Sequence, residues 1–219
     1  MSPKIKVLLV DDHPLVREGL VNLISQQSDL QICGEAGNEP QALELIRTVQ
    51  PHVAIVDISL ESGSGIELIK SIKALLPAVT VLVLSMHDES LYAERALRAG
   101  ARGYVMKREA AKKVIEAIRC VLAGQLYVSD KIAALMAEKF IGGRPAATAS
   151  PIEQLSDREL EVFQLLGLGQ NTRQIADHLH VGFKTVQAYC ARIKEKLNLA
   201  NATELLREAI RWHESQQTK

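Results

Sequence analysis

The stretch "LLVDDHP", Leu8 to Pro14, carries an unbroken apolar run directly into two adjacent carboxylates, Asp11 and Asp12. Unbroken apolar character marks a strand covered on both faces, the situation of a parallel sheet flanked by helices. The run begins as "IKVLLV" (5–10), and four more follow it: "LQICGEA" (30–36), "HVAIVD" (52–57), "VTVLVLS" (79–85) and "RGYVMK" (102–107). Between them, "PLVREGLVNLISQQ", "EPQALELIRTV", "GIELIKSIKALL" and "ESLYAERALRAG" space their apolar residues three and four apart. "AAKKVIEAIRCVLAG" does the same after the last run. The pattern predicts an α/β domain of five strand–helix repeats, (βα)5, built on a doubly wound parallel sheet and ending near Ala123. Pro77 and Gly100 stand where two of the helices should stop.

Beyond Leu126 the composition changes. A helix is expected from about Asp130 to Phe140, followed by "GGRPAATASP" (142–151), whose Gly, Pro, Ala, Ser and Thr mark a linker. From Leu155 onward no strand pattern remains. "SDRELEVFQLLGLG", "TRQIADHLH", "FKTVQAYCARIKEKLN" and "ATELLREAIRWHES" predict a small all-α domain. The expected division is a first domain over 1–128, a linker helix and flexible linker over 129–151, and a second domain over 152–219.

The 26 basic and 26 acidic residues cancel across 219 residues, so any charged partner has to be sought regionally. Cys33, Cys120 and Cys190 are odd in number and lack C-x-x-C spacing, which argues against a disulfide framework or a zinc site and for a reducing cytosol. A cytoplasmic protein without membrane association is expected, because no apolar run approaches the roughly 18 residues of a span and no signal peptide opens the chain.

Sites in open parallel sheets lie beyond the carboxyl ends of the strands. There the first strand offers Asp11 and Asp12, the third Asp57, the fourth Ser85 and the fifth Lys107. Two carboxylates about 4 Å apart repel by roughly 4 kcal/mol at an effective dielectric near 20, so three in one place need compensation. Lys107 supplies one positive charge. The remainder suits a hard divalent cation with oxygen ligands, and Mg2+ is the choice because it shares its coordination readily with a phosphoryl group. Asp57, alone at its strand end and followed by the loop "ISLESGSG", is the best nucleophile. Ser85 and Lys107 can each contact a phosphoryl oxygen. "DDHP" also suits a helix N-cap at Asp12 or His13, and His13 and His87 read as structural or solvent-facing. Neither "GSGIEL" nor "GLGQNT" has the context of a nucleotide-binding glycine motif, and no Walker-type loop is present.

In this order, "VLLVDDHPLVREGL", Asp57 and "AGARGYVMK" resemble the receiver domain of two-component response regulators, the NarL/FixJ subfamily in particular, over about residues 5–123. The stretch "LSDRELEVFQLLGLGQNTRQIADHLHVGFKTVQAYCARIKEKLNL" resembles a LuxR-type helix-turn-helix over about 152–213. The resemblance implies a flavodoxin-like receiver in which Asp57 accepts a phosphoryl group from a sensor histidine kinase. It further implies Mg2+ held by Asp11, Asp12, Asp57 and the main-chain carbonyl of Ser59. Ser85 and Tyr104 become a switch pair: on phosphorylation Ser85 moves toward the phosphoryl group, Tyr104 turns inward, and the face around the fourth helix, fifth strand and fifth helix changes its association. Glu61 departs from the family, standing where a proline usually rigidifies the loop after the acceptor.

The second domain divides its charge. Residues 152–182 hold two basic against five acidic side chains, whereas 183–199 hold Lys184, Arg192, Lys194 and Lys196 against Glu195 alone. Positive charge on one helix after the short turn "HVG" is what a helix-turn-helix needs at a DNA backbone. Val186, Ile193 and Leu197 are expected inside, with Ile175, Ala176 and Leu179. Lys184, Thr185, Gln187, Ala188, Ala191, Arg192 and Lys196 are the expected DNA contacts, with Gln187 on an adenine and Lys184, Thr185 and Arg192 on phosphates. Gly182 and Phe183 replace the usual Ser-Glu start of this helix, and Gln187, Tyr189 and Ala202 replace a frequent lysine, histidine and arginine. Leu205, Leu206, Ile210 and Trp212 of the last helix can pair two copies on a two-fold site or form intramolecular core. The expected function is a phosphorylation-controlled transcriptional regulator, not a turnover enzyme, with double-stranded DNA and a sensor kinase as partners and a homodimer on DNA. Two other classes compete. A Mg2+-dependent phosphotransferase acting on small molecules lacks an acid/base aspartate two residues after Asp57, where Ser59 stands. A regulator that acts constitutively without phosphorylation is the other.

Overall fold

A computed structural model describes residues 3–60, 64–142 and 151–217. Glu61 and the greater part of the expected linker therefore lie outside the described residues. The chain forms two compact units, Met1–Glu138 and Lys139–Lys219.

In the first unit, β1 (Ile5–Val10), β2 (Leu30–Ala36), β3 (Val53–Val56), β4 (Thr80–Ser85) and β5 (Gly103–Met106) form one sheet in the order β2-β1-β3-β4-β5. Every adjacent pair is parallel. The helices α1 (Pro14–Ser25), α2 (Glu39–Val49), α3 (Gly65–Leu75), α4 (Glu89–Ala99) and α5 (Ala110–Leu122) alternate with the strands, as the periodicities predict. Residues 7–10 of β1, 53–56 of β3 and 81–85 of β4 are buried without alternation because helices cover both faces, while the edge strand β2 is buried only at Leu30 and Ala36. One core layer packs Leu20 and Ile24 of α1 and Val114, Ala117, Ile118 and Val121 of α5 onto Val7, Leu9, Ile55, Leu82 and Leu84.

Register decides what the strand ends bring together. Val10 pairs with Val56, and Val56 with Val83, so Asp11 and Asp57 follow matched residues on neighbouring strands. The Asp57 amide donates to the Val10 carbonyl at 2.8 Å. Strand order reverses between β1 and β3, which opens a crevice there. Gly65 is required beside it: a Cβ on this residue would lie 2.1 Å from the Asp57 carbonyl oxygen. The loop after Asp57 is closed at its base by an antiparallel Ser59–Ser64 bridge and by the Gly65 amide on the Ile58 carbonyl at 2.9 Å.

The outer edge of β5 is covered by the chain that follows α5. The Tyr104 amide donates to the Tyr127 carbonyl at 2.8 Å, and the Tyr127 amide to the Arg102 carbonyl at 3.0 Å. Ser129 then starts α6 (Asp130–Gly142), its Oγ accepting from the Ile132 amide at 3.2 Å.

In the second unit, α7 (Asp157–Gly167), α8 (Thr172–His178), α9 (Phe183–Lys196) and α10 (Ala202–Gln217) enclose Leu160, Val162, Phe163, Ile175, Val186, Ile193, Leu205 and Ala209. Capping boxes start α7 at Ser156 and α8 at Asn171. At Gly167 a side chain would meet the Ala209 carbonyl oxygen at 2.7 Å, so α7 and α10 approach closely. The last helix divides its apolar residues: Leu205 is buried and Trp212 packs on Phe163 with ring centroids 5.7 Å apart, whereas Leu206 and Ile210 are exposed. No helix among the described residues is long and apolar enough to cross a membrane.

Lys196, expected at DNA, is engaged inside this unit. Its Nζ donates to Glu159 Oε2 at 2.6 Å and to the Gln154 carbonyl at 3.1 Å. Glu159 is buried, so its carboxylate needs a cation, and Lys196, a helical turn beyond Arg192, supplies it. Burial pushes the Glu159 carboxyl upward, but the Lys196 and Ser156 hydrogen bonds outweigh it and hold the group below the usual carboxylate value. Its stabilising contribution is present above the ordinary carboxylate range and fades as pH falls through the lowered folded value. Lys196→Met, which leaves that carboxylate buried without its cation, should cost on the order of 1–3 kcal/mol at neutral pH. Thermal unfolding of the full chain should show the C-terminal transition lowered, with the gap from the unsubstituted protein narrowing in acid; an unchanged transition at pH 7 refutes this role.

Candidate phosphoacceptor site and nucleic-acid interface

Four separated segments meet at the carboxyl end of the sheet. Lys107, in the 3-10 turn after β5, places Nζ 2.7 Å from Asp11 Oδ2 and 2.7 Å from Asp57 Oδ2. Its side chain is 7% exposed, so one ammonium bridges two carboxylates away from water. Burial alone would lower the lysine's pKa, but Asp57 and Asp11 reverse that and raise it, keeping the ammonium charged. Asp57 is 3% exposed. Burial raises its pKa, Lys107 offsets part of the effect, Asp11 adds to it, and the carboxyl is pushed up to about 6. Its second oxygen, Oδ1, is buried without a hydrogen-bond partner.

That unpaired oxygen fits a hard divalent cation. Asp11, Asp12, His13 and Asp57 each offer a ligand atom, all within 4.8 Å of one another. His13, read from the sequence as a possible helix cap and otherwise as structural or solvent-facing, enters this group: Nδ1 lies 2.6 Å from Asp12 Oδ1 and 3.3 Å from Asp11 Oδ1. Pro14 occupies the first turn of α1 and makes His13 the N-cap residue, and the His13 amide donates to Asp11 Oδ1 at 2.9 Å. The possible capping role of "DDHP" thus falls to His13, without a side-chain cap hydrogen bond. Arg17 secures the strand end by donating to the Asp11 carbonyl at 2.5 Å.

Ser85 is fully buried at the end of β4, its Oγ accepting from the His87 amide at 3.2 Å. Tyr104 is buried on β5, with its hydroxyl donating to the His87 carbonyl at 2.9 Å. Burial pushes that phenol strongly upward, so it stays a donor at any ordinary pH. The side chain thus already holds the inward position that the resemblance assigns to the phosphorylated state. His87, read as structural or solvent-facing, joins three parts of the site: Nε2 lies 2.5 Å from Ser59 Oγ, the ring stacks on Tyr92 of α4 at 4.7 Å, and its carbonyl holds Tyr104. The sequence signal was its place two residues beyond Ser85, on the loop that faces Ser59.

In the second unit, the α8–α9 turn closes with His180 in the left-handed region (φ 53°), the Val181 amide reaching the Ala176 carbonyl at 3.0 Å. Val186 and Ile193 fix the inner face of α9, with Leu197 half-buried just beyond its end. Lys184, Thr185, Gln187, Ala188, Ala191 and Arg192 are all exposed, and α9 starts at Gly182 without a side-chain cap. Of the expected DNA contacts, Lys196 alone is held by an internal ion pair.

Residues 7–119 match the response regulator receiver domain, and residues 153–209 match the luxR family of bacterial regulatory proteins. The response regulator UvrY of Escherichia coli K12 is 36% identical over 207 residues, covering 94% of each chain. The oxygen regulatory protein NreC of Staphylococcus carnosus is 33% identical over 210 residues, covering 94% of this chain and 97% of that one. Among solved structures, RcsB of Salmonella enterica serovar Typhimurium, bound to promoter rprA in the presence of the phosphomimetic BeF3−, superposes with a TM-score of 0.69 at 26% identity, over 94% of this chain and 98% of that chain. With its five-stranded parallel receiver, the acidic crevice at that receiver's strand ends and a LuxR-type helix-turn-helix behind it, the chain belongs to the DNA-binding response regulators of two-component systems, in the NarL/FixJ subfamily.

Proposed function

We propose that Asp57 is the phosphoryl acceptor of this regulator, with Mg2+ held by Asp11, Asp12, Asp57 and the main-chain carbonyl of Ser59. The buried Asp57 Oδ1 carries this assignment, because Lys107 holds only the Oδ2 atoms of Asp11 and Asp57, and of the two remaining oxygens Asp11 Oδ1 accepts from the His13 amide whereas Asp57 Oδ1 has no hydrogen-bond partner. A carboxylate oxygen of Asp57 attacks the phosphorus of a kinase phosphohistidine, the N–P bond breaks, and the imidazole leaves as an acyl phosphate forms. When bound, the cation supplies charge neutralisation at the phosphoryl oxygens. Lys107 pairs with one phosphoryl oxygen and the Ser85 hydroxyl donates to another. Tyr104 answers Ser85 through the His87 segment that both residues contact.

The partners are a sensor histidine kinase and double-stranded DNA, in the cytoplasm where both meet, and a homodimer is the DNA-bound form. Lys184, Thr185 and Arg192 meet phosphates, Gln187 reads an adenine, and the methyl groups of Ala188 and Ala191 let the helix lie close to the bases. The functional modules are 1–128, 129–151 and 152–219; the compact units divide within the second of these, at Glu138. Ser59 in place of a second acid/base carboxylate makes the protein a phosphoryl acceptor rather than a turnover enzyme.

Acetyl phosphate with Mg2+ should label the full chain once and leave Asp57→Ala unlabelled; equal labelling of both removes the assignment, and turnover of simple phosphate esters would replace it with a phosphotransferase. The pH dependence has a defined sign. Because the folded value of Asp57 lies near 6 against an ordinary 3.8, the metal-free protein loses stability as pH rises from 4 to 6. In EDTA, Asp57→Asn should therefore melt above the unsubstituted protein at pH 7, with the difference shrinking toward pH 4 and on addition of Mg2+; a variant that melts lower throughout contradicts the crowding of charge. At DNA, Lys184→Ala should weaken binding to all sequences alike and reduce the log–log salt slope by about 1. Titrations at several salt concentrations check this, and an unchanged slope excludes a phosphate contact.

A further inference from the structure

The exposed face of α9 holds one large apolar side chain that its packing does not use. Phe183, the first residue of the helix, is 43% exposed, while Val186 and Ile193 fill the inner face. Successive helical residues are 100° apart, so Phe183 and Gln187 lie one above the other within about 40°. Ala191 continues this stripe, and Lys184, Ala188 and Arg192 form the next one, all of them exposed. Gly182 adds no bulk before the ring: a Cβ there would have Thr185 Oγ1 at 3.7 Å as its nearest neighbour. The N-terminal residues of a recognition helix are those that reach base edges, and the apolar feature of the major groove is the thymine 5-methyl group.

Resting on the assignment of α9 to the major groove, we infer that Phe183 is a specificity-determining residue that packs on a thymine methyl next to the adenine bound by Gln187. Charge complementarity selects the occupant. Lys184, the next residue, puts positive charge beside the ring, and Arg192 adds more further along the exposed face of the same helix, which suits a polyanion with apolar features inside its groove and opposes a purely apolar partner. The small side chains of Ala188 and Ala191 bring the helix axis close to the bases, so that the ring reaches depth instead of standing at the rim. The half-site therefore carries an A·T-rich segment at the N-terminal end of the helix, chosen by one hydrogen-bonded and one apolar contact.

The test uses the full chain in the presence of Mg2+ and beryllofluoride, and a duplex recovered from a randomised pool. Each thymine in the recovered half-site is replaced singly by deoxyuridine, which removes the methyl group alone. One position should weaken binding by about three- to tenfold, as expected for burying one methyl group against an aromatic ring. Phe183→Ala should bind the thymine duplex less tightly, lose the distinction between thymine and uracil at that position, and keep its salt slope. DNA binding with no uracil-sensitive position, or Phe183→Ala retaining the penalty, overturns the inference and leaves the groove assignment intact. Recovery of no duplex at all overturns the groove assignment itself.

Discussion

One ammonium group holds two strand ends together. Lys107 lies within 2.7 Å of both Asp11 and Asp57, and those carboxylates follow paired residues of adjacent parallel strands. Without it the register of β1 and β3 would press two negative charges together under a nearly complete cover of protein. With it the crevice still sets three carboxylates against one ammonium, and Asp57 Oδ1 is left buried without a hydrogen-bond partner. The proposed acceptance of a phosphoryl group beside a divalent cation rests on that shortage. The loop geometry supports it, since Gly65 allows α3 to begin directly against the Asp57 main chain.

The fold was legible because its two periodicities differ so clearly. Apolar runs of four to seven residues, alternating with helical spacing, leave little besides a parallel sheet covered on both faces, and β2 and α2 have the very limits that the patterns predict. Asp11, Asp12, Asp57, Ser85 and Lys107 were legible for the same reason: each is the polar residue at which an apolar run stops. His13 and His87 were not, because their roles depend on how a loop turns. A proline one residue later directs His13 back to Asp12, and a hydrogen bond across two loops brings His87 to Ser59. Periodicity has no term for either. Lys196 carries a further role that periodicity does not show, since its charge and its place on a basic helix are those of a DNA contact, and only the burial of Glu159, far away in sequence, reveals the internal ion pair it makes.

The two units solve the problem of a buried carboxylate differently. In the receiver the lysine is shared between two acids, and one oxygen is left for chemistry. In the helical unit Lys196 serves a single acid, Glu159, and the capping box at Ser156 satisfies the rest of that group. The first arrangement is poised to change when a phosphoryl group arrives, and the second fastens the recognition helix to the start of α7. Reactivity and rigidity thus come from the same pair of side-chain types, distinguished by how completely the acid is satisfied.

The pairing of Tyr127 with β5 lies beyond residue 119, where the match to the receiver family ends. A fragment trimmed to that match, or to the end of α5, would strip the hydrogen-bond partners from the Tyr104 amide and the Arg102 carbonyl and leave a bare parallel edge facing solvent, a template for intermolecular strand addition. For anyone isolating the phosphorylatable half, the natural cut falls after Ser129.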